Sequence, residues 1–447
     1  MKPTPPLINA LANIVTGFSI VIFQIIGTRI VASTGADNLG VWALAVSLAG
    51  FAPLFAFNLN TGVARLAIGL LHQSTHELVN LLFCAARLAR RYLGIAVVAM
   101  LVGGLLLPIM YPVQIGVEPV PRAVGVAGLF IGSCWIVFAQ PLQGVLIARQ
   151  QNISIAKAML LGRLLALAVL WAAVVLTDSL PWALVACGVS LWFSYWLMRR
   201  DVPEWRQQAA ISYGGEQEAM LGKISRGFAL WSITALLFQV SLVPLVGVIE
   251  PESTTPVYLA VTLLAILVGV VNAGTGALIA PIGRMVGEEA FANVVRLSWL
   301  VGVGLVVYSV LLILALPQIL ELWVGNTVDV AQVQSYLMLI AGLQCVRLSG
   351  AVSSVTLMVK ADNRQLTGPS LFELAGLLVL AVPLGLIAGV PAMLAALMAV
   401  SCIATCATVL MAARLNDVPA RDKRVTGLLC LPVGFAAAFV VTGFLLS

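Results

Sequence analysis

The chain has 447 residues, 61% hydrophobic and only 9% charged, with a mean hydropathy of +1.07. No water-soluble domain has that composition, so the chain reads as a polytopic helical membrane protein with spans of roughly 20 apolar residues. The net charge of +6 does not indicate nucleic acid, because the basic residues cluster at helix ends. The seven cysteines lie in apolar stretches without metal-ligand or disulfide-framework spacing.

Met1 to Pro6 leads into a full-length apolar span with no short h-region, so no cleavable signal peptide is expected. Span 1 covers about 7–31. Asn9, Asn13, Gly17 and Gln24, with Thr16 and Thr28, form a polar or small stripe at helical spacing, which reads as a close helix–helix seam. Arg29, at the outer end, lies about 140° from Gln24 by the rotation per residue. It is therefore off the stripe and reads as a snorkelling anchor or a ligand contact.

Span 2 covers about 40–71 and contains Asn58-Leu-Asn-Thr-Gly-Val-Ala-Arg65. Asn58, Thr61 and Arg65 are spaced i, i+3, i+7 and are expected on one helix face. In lipid that face must turn toward another helix or a water-filled cavity. His72 and His76 follow at i, i+4 with no further ligand nearby, so a solvated loop is expected there rather than a metal site. Arg87, Arg90 and Arg91 precede span 3, about 92–111. Span 4, about 123–148, carries Gln140-Pro141, span 5, about 153–176, carries Arg163, and span 6 is about 181–198.

The stretch 199–222 is the most polar in the chain and divides the halves. Further spans are expected near 224–249, 256–283, 294–316, 333–358, 367–388 and 391–413. A thirteenth apolar run covers about 426–446. Asn272, Thr275 and Gly276 repeat the Asn-x-x-Thr-Gly of Asn58, Thr61 and Gly62 after a shift of about 214 residues, and the same shift carries span 1 onto span 7. The expected fold class is all-α: 12–13 transmembrane helices in two six-helix lobes, related by a pseudo-twofold along the membrane normal. The lobes are 1–210 and 211–413, and 414–447 forms a cytoplasmic loop and an extra terminal helix.

With the N-terminus inside, most of the 24 basic residues fall on inner loops and flanks. Asp37, Glu118, Asp178, Glu250, Glu252, Glu321 and Asp329 fall outside, against only Arg29 and Arg122. That asymmetry satisfies the positive-inside rule. Within the spans, Arg163 and Arg347 lie deep and Arg65 about two turns from the inner end of span 2. Glu373 is the only carboxylate inside a span. It can pair with Arg347 or serve as a protonatable coupling site.

Three passages resemble a known family. Arg29-Ile-Val-Ala-Ser-Thr-Gly-Ala-Asp-Asn-Leu-Gly-Val-Trp-Ala-Leu, followed by Gly62-Val-Ala-Arg65, is similar to the link between the first two helices of polysaccharide transporters. These form a branch of the multidrug/oligosaccharidyl-lipid/polysaccharide (MOP) flippase superfamily, with the O-antigen (Wzx-type) flippases as familiar members. Ala280-Pro281 to Arg296 resembles the inner loop after helix 8, and Leu320-Glu-Leu-Trp-Val-Gly325 the passage after helix 9. The thirteenth helix departs from the family, whose members usually have twelve or fourteen.

The resemblance implies a flippase of the bacterial cytoplasmic membrane, not an enzyme, with a cytoplasmic N-terminus and no cofactor or metal. It would move a polyprenyl-diphosphate-linked glycan between leaflets by alternating access, with the lipid tail left in the bilayer. Glycan polymerase and chain-length machinery would be its partners. The substrate-binding candidates are Arg65, Arg163, Arg347, Arg29, Gln24, Asn58, Thr61 and Asn272, with Glu373 as the coupling candidate. Arginine suits a diphosphate through its planar donor fork. The competing role for these arginines is to cap backbone carbonyls or, for Arg347, to pair with Glu373. A multidrug exporter of the same superfamily is the nearest rival function. Cationic drugs call for carboxylates in the cavity, and the first six spans contain none. A membrane glycosyltransferase or glycan polymerase would need acid and base residues on a sizeable outer loop. The longest outer loop, about 316–333, has only Glu321 and Asp329.

Overall fold

The computed structural model describes residues 6–71, 75–206, 215–284, 287–361 and 363–446. All regular structure in them is helical, and helix covers every predicted span. Ten helical stretches among the described residues are long and apolar enough to cross a membrane. Inter-residue contacts divide the chain into two compact units, Met1–Pro244 and Leu245–Ser447.

The first unit holds α1 (Pro6–Ala32), α2 (Ala36–Ala49), α3 (Leu59–Leu70), α4 (Thr75–Met110) and the short α5 (Pro112–Ile115). It continues with α6 (Pro119–Ser133), α7 (Trp135–Ala148), α8 (Asn152–Thr177), α9 (Leu180–Leu191) and α10 (Phe193–Asp201). Most of α11 (Gly215–Ile249) also belongs to it. Its main packed pairs are α6 with α9, α1 with α8, α8 with α9, α3 with α7, and α2 with α6. Lipid tails are as apolar as leucine, so such pairs are held by close packing rather than by hydrophobic exclusion. The α6–α9 pair shows how close. A Cβ built on Gly188 would lie 3.1 Å from the Leu129 Cα, and one on Gly132 would fall onto the Gly188 backbone. Fully buried Trp42 covers Gly27, and its indole N–H donates to Thr28 Oγ1 at 3.0 Å. The Gly-x-Trp passage of the sequence is thus a helix-packing device.

The second unit holds α12 (Thr254–Arg284), α13 (Gly287–Trp323), α14 (Val330–Ser349), α15 (Ala351–Lys360), α16 (Asn363–Gly376), α17 (Val382–Arg414) and α18 (Lys423–Leu446). Helix α14 is buried on nearly every side and contacts α12, α13, α17 and α18. Its largely apolar residues suit that central place, and its one charged side chain, Arg347, is matched by Glu373. One turn of π-helix, Leu377–Ala381, joins α16 to α17. Inside α17, Gly389 has φ 82° and ψ 178°, a conformation open essentially only to glycine. The run folds back there, as the contact of Gly376 with Val400 shows. Left-handed Gly325 follows the end of α13. Asp422 caps α18 by accepting from the Arg424 amide at 2.7 Å, and the Arg424 guanidinium holds its carboxyl below the ordinary aspartate range.

The structure differs from the sequence-based expectations in four places. Span 2 is not one helix but α2, a 3-10 turn at Ala52–Ala56, and α3. Arg87, Arg90 and Arg91 lie inside α4, which starts well before the expected span. The outer loop expected over 316–333 shrinks to the few residues between Trp323 and Val330. Arg122 is not a loop residue but a buried one on α6.

The glycine contact of α6 with α9 leaves no room for a side chain. Gly188→Leu should therefore cost about 3 kcal/mol or more, at the upper end of overpacking penalties. Gly104→Leu on α4 is the control, since nothing lies within 4 Å of its built Cβ. Thermal unfolding in detergent should show a lower Tm for the first and no change for the second.

Candidate functional site

The polar passage of span 2 lies at a break in the helix. Phe57 and Asn58 both adopt left-handed backbone, with φ of 46° and 53°. That conformation costs about 1–2 kcal/mol for a residue with a Cβ, least for asparagine. The Phe57 ring is held against Tyr92, with centroids 4.6 Å apart. The amides freed by the break find other acceptors. The Asn58 carbonyl accepts from the Thr61 and Gly62 amides at 3.1 and 3.3 Å. The Asn60 amide donates to Gln140 Oε1 on α7 at 3.0 Å, and the Thr61 amide to Asn60 Oδ1 at 2.8 Å.

Two glycines allow this geometry. A Cβ on Gly144 of α7 would lie 2.7 Å from the Asn60 carbonyl oxygen, and one on Gly62 would lie 3.0 Å from Leu221 Cδ1 on α11. Asn58 therefore caps α3 and does not share a continuous helix face with Thr61 and Arg65. Those two remain one turn apart on α3, Thr61 half-buried and Arg65 exposed.

The stripe on α1 faces α8, as expected of a seam. Asn152 donates from its amide to Asn9 Oδ1 at 3.3 Å and from its side chain to Asn13 Oδ1 at 3.1 Å. Higher on the same seam, Arg163 Nη1 donates to Ser19 Oγ and, at 3.4 Å, to the Thr16 carbonyl. Arg163 thus does what a cation in a span must do without a carboxylate: it borrows a hydroxyl and a backbone carbonyl. Gln24 is half-buried, and its Oε1 is buried with no hydrogen-bond partner among the described residues. Arg29 is exposed at the end of α1.

In the second unit, Arg347 and Glu373 form a two-pronged ion pair, Nε to Oε1 at 3.2 Å and Nη2 to Oε2 at 3.4 Å. Their side chains are only 18% and 11% exposed. Glu373 lies one turn before the π-helical turn, an irregularity common near functional positions. Asn272, Gly276 and Arg284 lie on α12, but their side chains fall outside the described residues, and His72 lies outside them altogether.

Three arrangements were not anticipated. Glu250, expected in an outer loop, accepts from Ser253 Oγ, from Tyr336 Oη at 3.1 Å and from the Val390 amide at 3.2 Å. It thereby ties the end of α11 to α14 and to the bend at Gly389. Arg122 donates to the Gln114 carbonyl at 2.7 Å. Gln140 and Gln143 are both buried on α7, and Gln143 Nε2 has no partner among the described residues. Glutamine beside proline inside a span was the visible signal for the last. No cluster of three or more potential metal ligands occurs among the described residues.

No protein-family model matches the chain, and no curated protein does. Solved structures match over nearly its whole length. An outward-facing multidrug resistance MATE family transporter of the MOP superfamily is 14% identical, with a TM-score of 0.57 over 95% of this chain and 97% of that one. The eukaryotic MATE transporter AtDTX14 is 14% identical, with a TM-score of 0.60 over 94% and 96%. A MOP superfamily transporter from Pyrococcus furiosus, described as having a binding pocket of reverse polarity, is 14% identical, with a TM-score of 0.55 over 92% and 97%. At such identity the likeness establishes the fold, which is that of MATE and other MOP-superfamily transporters.

The Arg347–Glu373 pair gives a test by double-mutant cycle. Arg347→Met or Glu373→Gln alone leaves a partner charge with little exposure and should cost about 3–5 kcal/mol. Arg347→Met with Glu373→Gln should cost clearly less than the sum of the two single changes. Strict additivity in thermal unfolding would mean that the pair carries no coupling.

Proposed function

We propose that this chain is a membrane transporter that moves a polyprenyl-diphosphate-linked oligosaccharide from the cytoplasmic to the outer leaflet by alternating access. In this reading, residues 1–210 and 211–413 are its lobes and 414–447 a cytoplasmic loop and terminal helix. The N-terminus is cytoplasmic, the membrane is the bacterial inner one, and glycan polymerase and chain-length machinery take the product.

The observation that supports it is the sign of charge inside the spans. Among the described residues of Met1–Pro244, each carboxylate lies within a turn of a helix end or in a connection, while Arg65 and Arg163 lie within spans. The one carboxylate deep in a described span, Glu373, is already matched by Arg347. Such an interior favours an anionic ligand, and a diphosphate matches the donor fork of arginine. The first of the structural neighbours is described as a multidrug resistance transporter; an exporter of cationic drugs would need an unmatched carboxylate instead. Arg65 and Arg163 are the proposed diphosphate contacts. Thr61, Asn58, Gln24, Arg29 and Asn272 are candidates for polar contact with the glycan, and Glu373 with Arg347 for coupling.

The test is translocation of a labelled polyprenyl diphosphate oligosaccharide by proteoliposomes, with variants at Arg163. Phosphate binding predicts partial transport with Arg163→Lys, little with Arg163→Gln, and near-normal transport with Ser19→Ala, which removes a partner of the guanidinium without its charge. Full transport with Arg163→Gln at normal protein levels would remove Arg163 from the mechanism. Transport of lipophilic cations but not of the diphosphate would overturn the reading itself.

A further inference from the structure

Helix α4 carries a feature that the transport reading does not use. Its outward side holds a shallow groove of about 540 Å³, lined by Arg91, Gly94, Ile95, Val98 and Ala99. These residues fall at i, i+3, i+4, i+7 and i+8, a single helix stripe. Gly94 forms part of its floor: nothing lies within 4 Å of a Cβ built there. Ile95 and Val98 are 53% and 60% exposed, so no other part of the described chain covers the stripe. In a membrane its neighbour is lipid.

The charge at one end of the groove makes this more than a generic lipid face. Arg90 and Arg91 stand one turn before Gly94 and Arg87 a further turn back, all on α4. Glu218 on α11 pairs with Arg91 at 2.9 Å and with Arg87 at 3.7 Å. Arg90, exposed beside this pair, adds a further positive charge at the end of the apolar groove. The Arg91 side chain keeps 54% of its surface exposed, so an anion can reach it beside exposed Arg90.

We propose that this groove is a docking site for an anionic membrane phospholipid, with an acyl chain along Gly94, Ile95, Val98 and Ala99 and the phosphate at Arg90 and Arg91. Apolar length and cationic end match the two parts of such a lipid in the order in which a leaflet presents them. A zwitterionic lipid fits the groove but gains less at the arginines. Glu218 opposes the headgroup, so lipid binding and the Arg91–Glu218 pair compete. The occupancy of this site therefore bears on how firmly the start of α11 is held to α4. The proposal rests on the groove and its charges and is independent of what the protein transports.

Native mass spectrometry of the purified full chain, with phosphatidylglycerol and phosphatidylcholine supplied in equal amounts, tests it. The wild type should retain phosphatidylglycerol preferentially. Each arginine near an anionic lipid surface is worth about a five-fold change in affinity, so R90Q/R91Q should lose most of the preference. E218Q should increase it, because the competing carboxylate is gone, and a folding defect cannot mimic that rise. G94L should lower retention of both lipids by filling the groove. Equal retention of the two lipids by the wild type would overturn the proposal. So would an unchanged preference in both R90Q/R91Q and E218Q. Displacement of phosphatidylglycerol by equimolar polyprenyl diphosphate would assign the groove to a different lipid and overturn it as well.

Discussion

A hydrocarbon surrounding supplies no hydrogen bonds, so every backbone amide inside a span must find its partner within the protein. An unbroken helix meets that demand automatically. Two interruptions among the described residues are compensated in the same way, one within a predicted span of the first unit and one at the turn between two predicted spans of the second. At Phe57–Asn58, the Asn60 amide is received by Gln140 Oε1 on α7. At Gly389, the Val390 amide is received by the Glu250 carboxylate at the end of α11. In each case a side chain from a distant part of the sequence replaces the acceptor that the helix no longer offers. Left unmade, a buried amide of this kind costs about 1–3 kcal/mol.

These two acceptors explain features that otherwise look unrelated. Gln140 must reach α3, so α7 carries Gly144 where the α3 backbone passes. Glu250 must reach the α17 bend, and Ser253 and Tyr336 supply its remaining oxygen with donors. The bend itself requires Gly389, whose φ of 82° no other residue adopts readily. A broken helix held by one or two side-chain bonds changes direction at lower cost than an intact one, which is what the proposed alternating-access transport would need. The arginines obey the same rule of local satisfaction. Arg163 leans on a hydroxyl and a carbonyl of α1, and Arg347 on Glu373.

The spans were legible because hydropathy reports burial in lipid directly, and helix covers each predicted one. The polar stripe of α1 was also legible as a seam, since small and amide side chains at helical spacing have few other uses in a membrane. The break in span 2 was not. Asn58, Thr61 and Arg65 fit a helical period, and periodicity cannot reveal that Phe57 and Asn58 leave the helical region. Only tertiary partners, Tyr92 and Gln140, make that conformation affordable. The bend at Gly389 falls between the spans expected at 367–388 and 391–413. Glu250 lies in a connection, as expected, but charge asymmetry only assigns a residue to a side of the membrane and says nothing about what its carboxylate holds. The role of Arg122 was hidden for the same reason.

Backbone hydrogen–deuterium exchange, resolved to the peptides around Asn60 and Val390, tests the central claim most directly. In the wild type both segments should be protected despite lying at helix breaks. Gln140→Leu should speed exchange around Asn60 and leave the Val390 segment unchanged, and Glu250→Ala should do the reverse. Protection that survives both substitutions would contradict the account, because the two breaks would then be held by something other than these side chains.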